Sequence, residues 1–147
     1  MILIIAEKPS LGRNIAAGIG EMTKKNGYLE GKDYIISWAF GHLFSLADIE
    51  FYTGQLSEKT RWSMDNLPCF PKQFRFELRK GDNKKPDEGV YRQFQTICQL
   101  CNREDVDTIV NAGDADREGE IIVRLCQSNE TSLAPGPNAS NCCKGTE

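Results

Sequence analysis

At 147 residues the chain has the length of one ordinary domain, enough to bury a core without disulfides or a structural metal. Hydrophobic residues at 39%, charged residues at 27% and thirteen glycines exclude wholesale disorder and a fibrous repeat. The net charge of −3 excludes a protein that is basic throughout.

The opening run Met1 to Ala6 is stopped by Glu7 and Lys8, too soon for a membrane span or a signal-peptide core. A cytoplasmic location with no membrane partner is the expectation. A short β-branched run of this kind, bounded by polar residues and a proline, predicts a buried strand. Pro9-Ser10 then opens a helix whose apolar positions Leu11, Ile15 and Ile19 recur four apart. Gly18 and Gly20 act as stop signals, which predicts a helix from about Ser10 to Ala17. Tyr28 to Leu29 and Tyr34 to Trp38 read as two strands joined by Glu30-Gly31-Lys32-Asp33, and Phe74 to Leu78 as another. Val90, Phe94, Ile97 and Cys101 mark a helix face, Asp107 to Asn111 is strand-like, and Ala112-Gly113 is a tight turn. Helical spacing resumes from Glu118 to about Gln127.

Strand and helix alternate at both ends of this stretch, which predicts an α/β domain with a mainly parallel, doubly wound sheet over residues 1–127. In such sheets, sites collect beyond the carboxyl ends of the strands. Residues 128–147 lack Ile, Val, Phe, Met, Trp and Tyr and contain Pro135-Gly136-Pro137, so a polar, disordered tail is expected there. Asn129-Glu130-Thr131 and Asn138-Ala139-Ser140 match the glycosylation pattern, which carries no weight without a secretory signal. Of the six cysteines, only Cys98 and Cys101 have metal-ligand spacing, with no second pair to answer them and His42 the only histidine. Reduced thiols are the expected state, with zinc the minor alternative.

Charge is distributed unevenly. Lys59 to Lys85 holds eight Lys or Arg against three acids, interleaved with Trp62, Phe70, Phe74 and Phe76, whereas Asn102 to Glu120 holds seven acids against two arginines. The first suits a phosphate backbone and the second a cation, although a solvated surface would also account for either. Within the acidic stretch, Asp114, Asp116 and Glu118 alternate in a turn leaving a strand, more negative charge than Arg117 neutralises. A divalent cation makes such crowding tolerable, and oxygen-only ligands favour Mg²⁺, Mn²⁺ or Ca²⁺ over zinc. An EF-hand loop fits as far as Gly119 but fails where Leu125 replaces the bidentate glutamate. An acidic turn at a helix start is the plain alternative. Glu7-Lys8 ends the first strand as Asp114 ends the later one, so if the two strands are parallel neighbours their acids converge at one sheet edge.

These residues resemble a known family. Met1-Ile-Leu-Ile-Ile-Ala-Glu-Lys-Pro-Ser-Leu-Gly-Arg13 is similar to the amino terminus of type IA DNA topoisomerases of the topoisomerase III branch, and Asp114-x-Asp116-x-Glu118 resembles the metal motif of their Toprim domain. Trp38-Ala-Phe-Gly41-His42-Leu43 resembles the family's Gly-His-Leu element, and Arg61-Trp62 with Leu67-Pro68 and Pro71 the segment before its next strand. The likeness runs in register from about Met1 to Leu125. It implies a Toprim, Rossmann-like fold and Mg²⁺, or alternatively Mn²⁺, at Asp114, Asp116 and Glu118, with a share for Glu7. It further implies that Glu7 moves the proton at the leaving 3′ oxygen, that Lys8 contacts the scissile phosphate, and that His42 and Arg117 lie near the DNA path.

The family's parent reaction cuts one DNA strand through a 5′-phosphotyrosine, passes another strand and reseals without ATP. Single-stranded or negatively supercoiled DNA is the implied substrate. The nucleophilic tyrosine sits in a separate domain, and none of Tyr28, Tyr34, Tyr52 or Tyr91 has a matching context. The chain is therefore expected to hold half an active site, to be inactive alone and to need the remaining domains as partners. Two other readings compete. Another Toprim enzyme, a primase or an overcoming-lysogenisation-type nuclease, would share the acids, but the Gly41-His42-Leu43 element weighs against it. A non-catalytic module could instead bind single-stranded nucleic acid through the basic, aromatic segment.

Overall fold

A computed structural model describes residues 1–53, 69–81 and 87–128 of the chain. The expectations for Arg61-Trp62, Leu67-Pro68, the basic ends of the Lys59 to Lys85 segment and the tail from Asn129 lie outside these described residues. The elements run β1 (Ile2–Ala6), α1 (Pro9–Ile19), β2 (Thr23–Lys24), β3 (Tyr28–Glu30), β4 (Tyr34–Trp38), β5 (Phe44–Leu46), α2 (Ile49–Thr53), β6 (Phe76–Leu78), α3 (Glu88–Cys101), β7 (Thr108–Ala112) and α4 (Arg117–Ser128).

A five-stranded sheet has the order β2-β3-β4-β1-β7, and β5 and β6 form a separate two-stranded sheet. β1 is the centre: it runs parallel to β4, with Ile2 opposite Tyr34, and parallel to β7, with Ala6 opposite Ala112. The β3 and β2 side is antiparallel, so the sheet is mixed with a parallel core. Alternation along β1 separates two apolar layers. Leu3 and Ile5 join Ile35 on one face and pack with Val90, Phe94 and Ile97 of α3 and Ile122, Val123 and Cys126 of α4. Ile4 and Ile36 face the other way, onto Ala16 and Ile15 of α1. Helices on both faces make this the doubly wound α/β arrangement that the sequence predicts.

Local chemistry explains the helix starts. Asp87 caps α3, its Oδ1 accepting from the backbone N–H of Gly89 at 2.8 Å and of Val90 at 3.1 Å. Pro9 opens α1, where its missing N–H costs nothing. That helix continues through Gly18 to Ile19 and ends at Gly20, whose φ of 132° is open to glycine and rarely to other residues. Gly18 therefore does not stop it. Gln93 crosses the layers: buried on α3, its Nε2 donates to the carbonyls of Gly27 at 2.9 Å and Trp38 at 2.7 Å and to Ser37 Oγ at 3.1 Å. Arg103, after α3, bridges Glu30 at 2.7 Å and Asp105 at 2.8 Å, tying the β3 side of the sheet to the segment entering β7. Cys98 and Cys101 pack against the core from α3. No helix among the described residues is long and apolar enough to cross a membrane.

β7 is the outer strand among the described residues. Its neighbouring residues Ile109 and Val110 point to opposite faces, yet they remain 38% and 39% exposed.

Candidate active site

The parallel pairing of β1 with β7 brings the two acidic signals together. Ala6 and Ala112 are register partners, so the chain leaves both strands at the same sheet edge, into Glu7-Lys8 on one side and Gly113-Asp114 on the other. Glu7 Oε2 accepts the backbone N–H of Asp114 at 3.2 Å. Lys8 Nζ lies 3.2 Å from Asp114 Oδ2 and 4.0 Å from Glu7 Oε1. The Asp114 hydrogen bond and charge, then the Glu7 charge, raise the Lys8 pKa above its ordinary value. Lys8 therefore sits as a fixed cation between two carboxylates, while Glu7 is held with its side chain only 16% exposed.

A loop from the other side supports Glu7. Beyond β4, Ala39 N–H donates to the Ala6 carbonyl at 2.8 Å and Gly41 N–H to the Glu7 carbonyl at 3.0 Å. Gly41 makes this turn at φ 69°, a left-handed conformation that favours glycine. The Gly41-His42-Leu43 element is thus placed against the Glu7 peptide. His42 is exposed on that loop, as is Arg117 at the first position of α4.

The acidic turn is built around the start of α4. Asp116 Oδ1 accepts the Gly119 N–H at 2.8 Å and so caps the helix, and Glu118 and Glu120 in its first turn complement the helix dipole. The turn and helix are interlocked by two glycines. A Cβ on Gly113 would lie 2.4 Å from the Gly119 carbonyl oxygen, and one on Gly119 2.3 Å from that of Asp114. Asn111, the penultimate residue of β7, locks the same turn: its Oδ1 accepts the Gly113 N–H at 2.9 Å and its Nδ2 donates to Glu120 Oε2 at 2.8 Å. Glu120 in turn accepts from Arg124. Sequence reasoning missed Asn111 and Glu120 as positioning residues. A polar residue among apolar ones at the end of a strand was the available signal.

Of the residues singled out for a cation, Glu7 and Asp114 are brought together, whereas Asp116 is committed to the helix cap and Glu118 stands exposed on α4. Among the described residues no three His, Cys, Asp or Glu side chains are gathered closely enough to hold an ion as they stand. The donor chemistry nevertheless fits a hard divalent ion, since all four groups are carboxylates on one edge and Asp114 is already bonded to a cation, the Lys8 ammonium.

This mixed α/β sheet with a parallel core carries an acid at the end of its central strand and an alternating acidic turn after the neighbouring one, and the chain matches the Toprim domain over residues 2–135. It belongs to that family. At the level of whole proteins it is similar to the DNA topoisomerase 3 of Shouchella clausii, 44% identical over 121 residues, and to that of Staphylococcus epidermidis, 41% identical over 123 residues. The DNA topoisomerase 3 of Bacillus subtilis is 39% identical over 122 residues. These matches take in 82 to 84% of this chain but only 15 to 16% of each relative's length. The family resemblance read from the residues is therefore upheld.

Proposed function

We propose that this chain supplies the Toprim part of a DNA topoisomerase 3, a type IA enzyme that cuts and rejoins single DNA strands. The carrying observation is the Glu7 carboxylate held on the Asp114 N–H at the joint end of β1 and β7, beside Lys8. The Asp114 N–H fixes Glu7 Oε2, leaving Oε1 to give a proton to the 3′ oxygen that departs on cleavage and to take it back on rejoining. Lys8 is near enough to meet the phosphate's negative charge with the ammonium hydrogens that Asp114 does not take. A divalent ion, Mg²⁺ or Mn²⁺, held by Glu7, Asp114, Asp116 and Glu118 would supply Lewis-acid stabilisation of phosphate charge. The nucleophile is a tyrosine of another domain, which ends on the 5′ phosphate. His42 and Arg117 flank the strand's route from the Gly41 loop and the start of α4.

The test replaces the corresponding part of a DNA topoisomerase 3 relative with residues 1–128 of this chain and measures relaxation of negatively supercoiled plasmid with Mg²⁺. Relaxation is expected, with loss in Glu7→Gln while circular dichroism stays unchanged. Metal-dependent nicking by the 147-residue chain alone, abolished by Asp116→Asn, would instead establish a Toprim nuclease that uses water.

A further inference from the structure

Asn111 is a polar residue in an apolar row. Its register partner on β1 is Ile5, which packs with α3 and α4, and Ile109 one step back pairs with Leu3 in the same layer. Strand formation does not call for an amide there, since asparagine is a poor strand former. What the amide offers is an acceptor and a donor on one short side chain. Both are used. Oδ1 accepts the Gly113 N–H at 2.9 Å, where the acidic turn begins, and Nδ2 donates to Glu120 Oε2 at 2.8 Å, in the first turn of α4.

Asn111 thus spans the turn from its entrance to its exit. Between the two contacts lie Asp114, Asp116 and Glu118. Asp114 belongs to the entrance: its N–H is held by Glu7 Oε2, one peptide beyond the N–H that Asn111 holds. Asp116 and Glu118 belong to the exit, the first capping α4 through the Gly119 N–H and the second lying in its first turn. The separation of Asp114 from the other two acids is therefore set by how α4 sits against the end of β7. Gly113 and Gly119 let the turn and helix backbones meet, and the Asn111 amide bonds them at that approach. Glu120 anchors the far end, with Oε2 taking Asn111 and Oε1 taking Arg124 Nε at 2.8 Å, so both of its oxygens are committed to holding position.

We infer that Asn111 is a positioning residue for the cation of the acidic edge: without touching the ion, it fixes the spacing between Asp114 and the acids of α4, with Glu120 as its anchor. This role rests on the proposed cation at Asp114, Asp116 and Glu118. It also separates the carboxylates of the turn into two kinds, those left to face an ion and one, Glu120, that serves as a strut. A carboxylate at position 111 would still accept from Gly113 but would meet Glu120 with like charge, and a methyl group would make neither contact. The amide is the short side chain that satisfies both ends at once.

The test is calorimetric titration of the full 147-residue chain with Mn²⁺, beside circular dichroism and amide NMR in EDTA. Asn111→Ala is expected to bind Mn²⁺ about tenfold more weakly, the lower end of what the outer partners of metal ligands are worth. Because Asn111 and Glu120 are both exposed, circular dichroism should be unchanged, while the Gly113 and Asp114 amide signals should move. Asn111→Asp combined with Glu120→Gln rebuilds the bond with donor and acceptor exchanged and leaves the net charge as it was, so it should restore most of the lost affinity. Unchanged Mn²⁺ affinity in Asn111→Ala overturns the role, and so does a loss that the exchanged pair fails to restore. A loss accompanied by partial unfolding in circular dichroism would overturn it in favour of a merely structural bond. Failure of the cation reading looks different: the wild type would bind no Mn²⁺, or would bind it equally well after Asp114→Asn with Asp116→Asn. Even then the amide signals in EDTA decide the positioning, since Gly113 and Asp114 signals unmoved by Asn111→Ala refute it without any metal.

Discussion

Adding one methyl group at Gly119 should cost far more than its size implies. An alanine Cβ there would lie 2.3 Å from the carbonyl oxygen and 2.5 Å from the nitrogen of Asp114, both backbone atoms that cannot rotate away. Overpacking against side chains costs about 1–3 kcal/mol, and a backbone obstruction belongs at the upper end, about 3 kcal/mol. The Asp116 cap on the Gly119 N–H would be strained by the same shift. For a domain of this size the loss corresponds to a fall in Tm of roughly 10 °C. Gly18→Ala is the internal control: it sits in α1 with nothing within 4 Å of a Cβ, so alanine should stabilise the chain by about 0.5–1 kcal/mol. Urea unfolding followed by far-ultraviolet circular dichroism measures both. A Gly119→Ala variant as stable as the wild type would refute the interlock between the acidic turn and α4.

Three further outcomes are expected. Lys8→Ala removes the ammonium bonded to Asp114 and should raise Mn²⁺ affinity severalfold by calorimetry; weaker binding would show that Lys8 does not occupy the cation's place. Gln93→Ala leaves the carbonyls of Gly27 and Trp38 without this donor inside the fold and should cost about 1–3 kcal/mol in thermal or urea unfolding. The hydrogen bond from Arg103 holds the Asp105 carboxyl below its ordinary value of 3.8. The stability Asp105 contributes is therefore present above that value and is lost as pH falls below it, through the lowered one; Asp105→Asn should flatten this part of the acid unfolding curve.

The strong elements were legible because their patterns are local. β1, β4 and α3 follow from a β-branched run, an apolar strand and a helix face at 90, 94, 97 and 101, and each appears within a few residues of its expected place. β2, β5 and α2 were not legible. Thr23–Lys24 has no apolar residue, and Phe44–Leu46 and Ile49–Thr53 are too short to display a period. Phe74 lies outside β6, which begins at Phe76, and Ala112 is the last strand residue rather than part of a turn, because it pairs with Ala6. At the site, the chemistry of Glu7 and the acidic turn was legible, but their adjacency was conditional on a strand order that no local pattern encodes. The Lys8–Asp114 pair depends on that order too, whereas the Asn111 lock is local to β7 and the start of α4.

The position of β7 gives the site two mechanically different halves. Glu7 ends a strand that has a hydrogen-bonded neighbour on each side, so releasing it requires breaking the middle of the sheet. Among the described residues Asp114 follows a strand paired on one side only, with Ile109 and Val110 exposed to solvent, so its half can loosen while the rest stays folded. Amide exchange should follow this division, slow through Leu3 to Ala6 and faster along Thr108 to Ala112. The arrangement is a fixed jaw and a yielding one, and whatever binds between them gives up part of its affinity to hold the softer side closed.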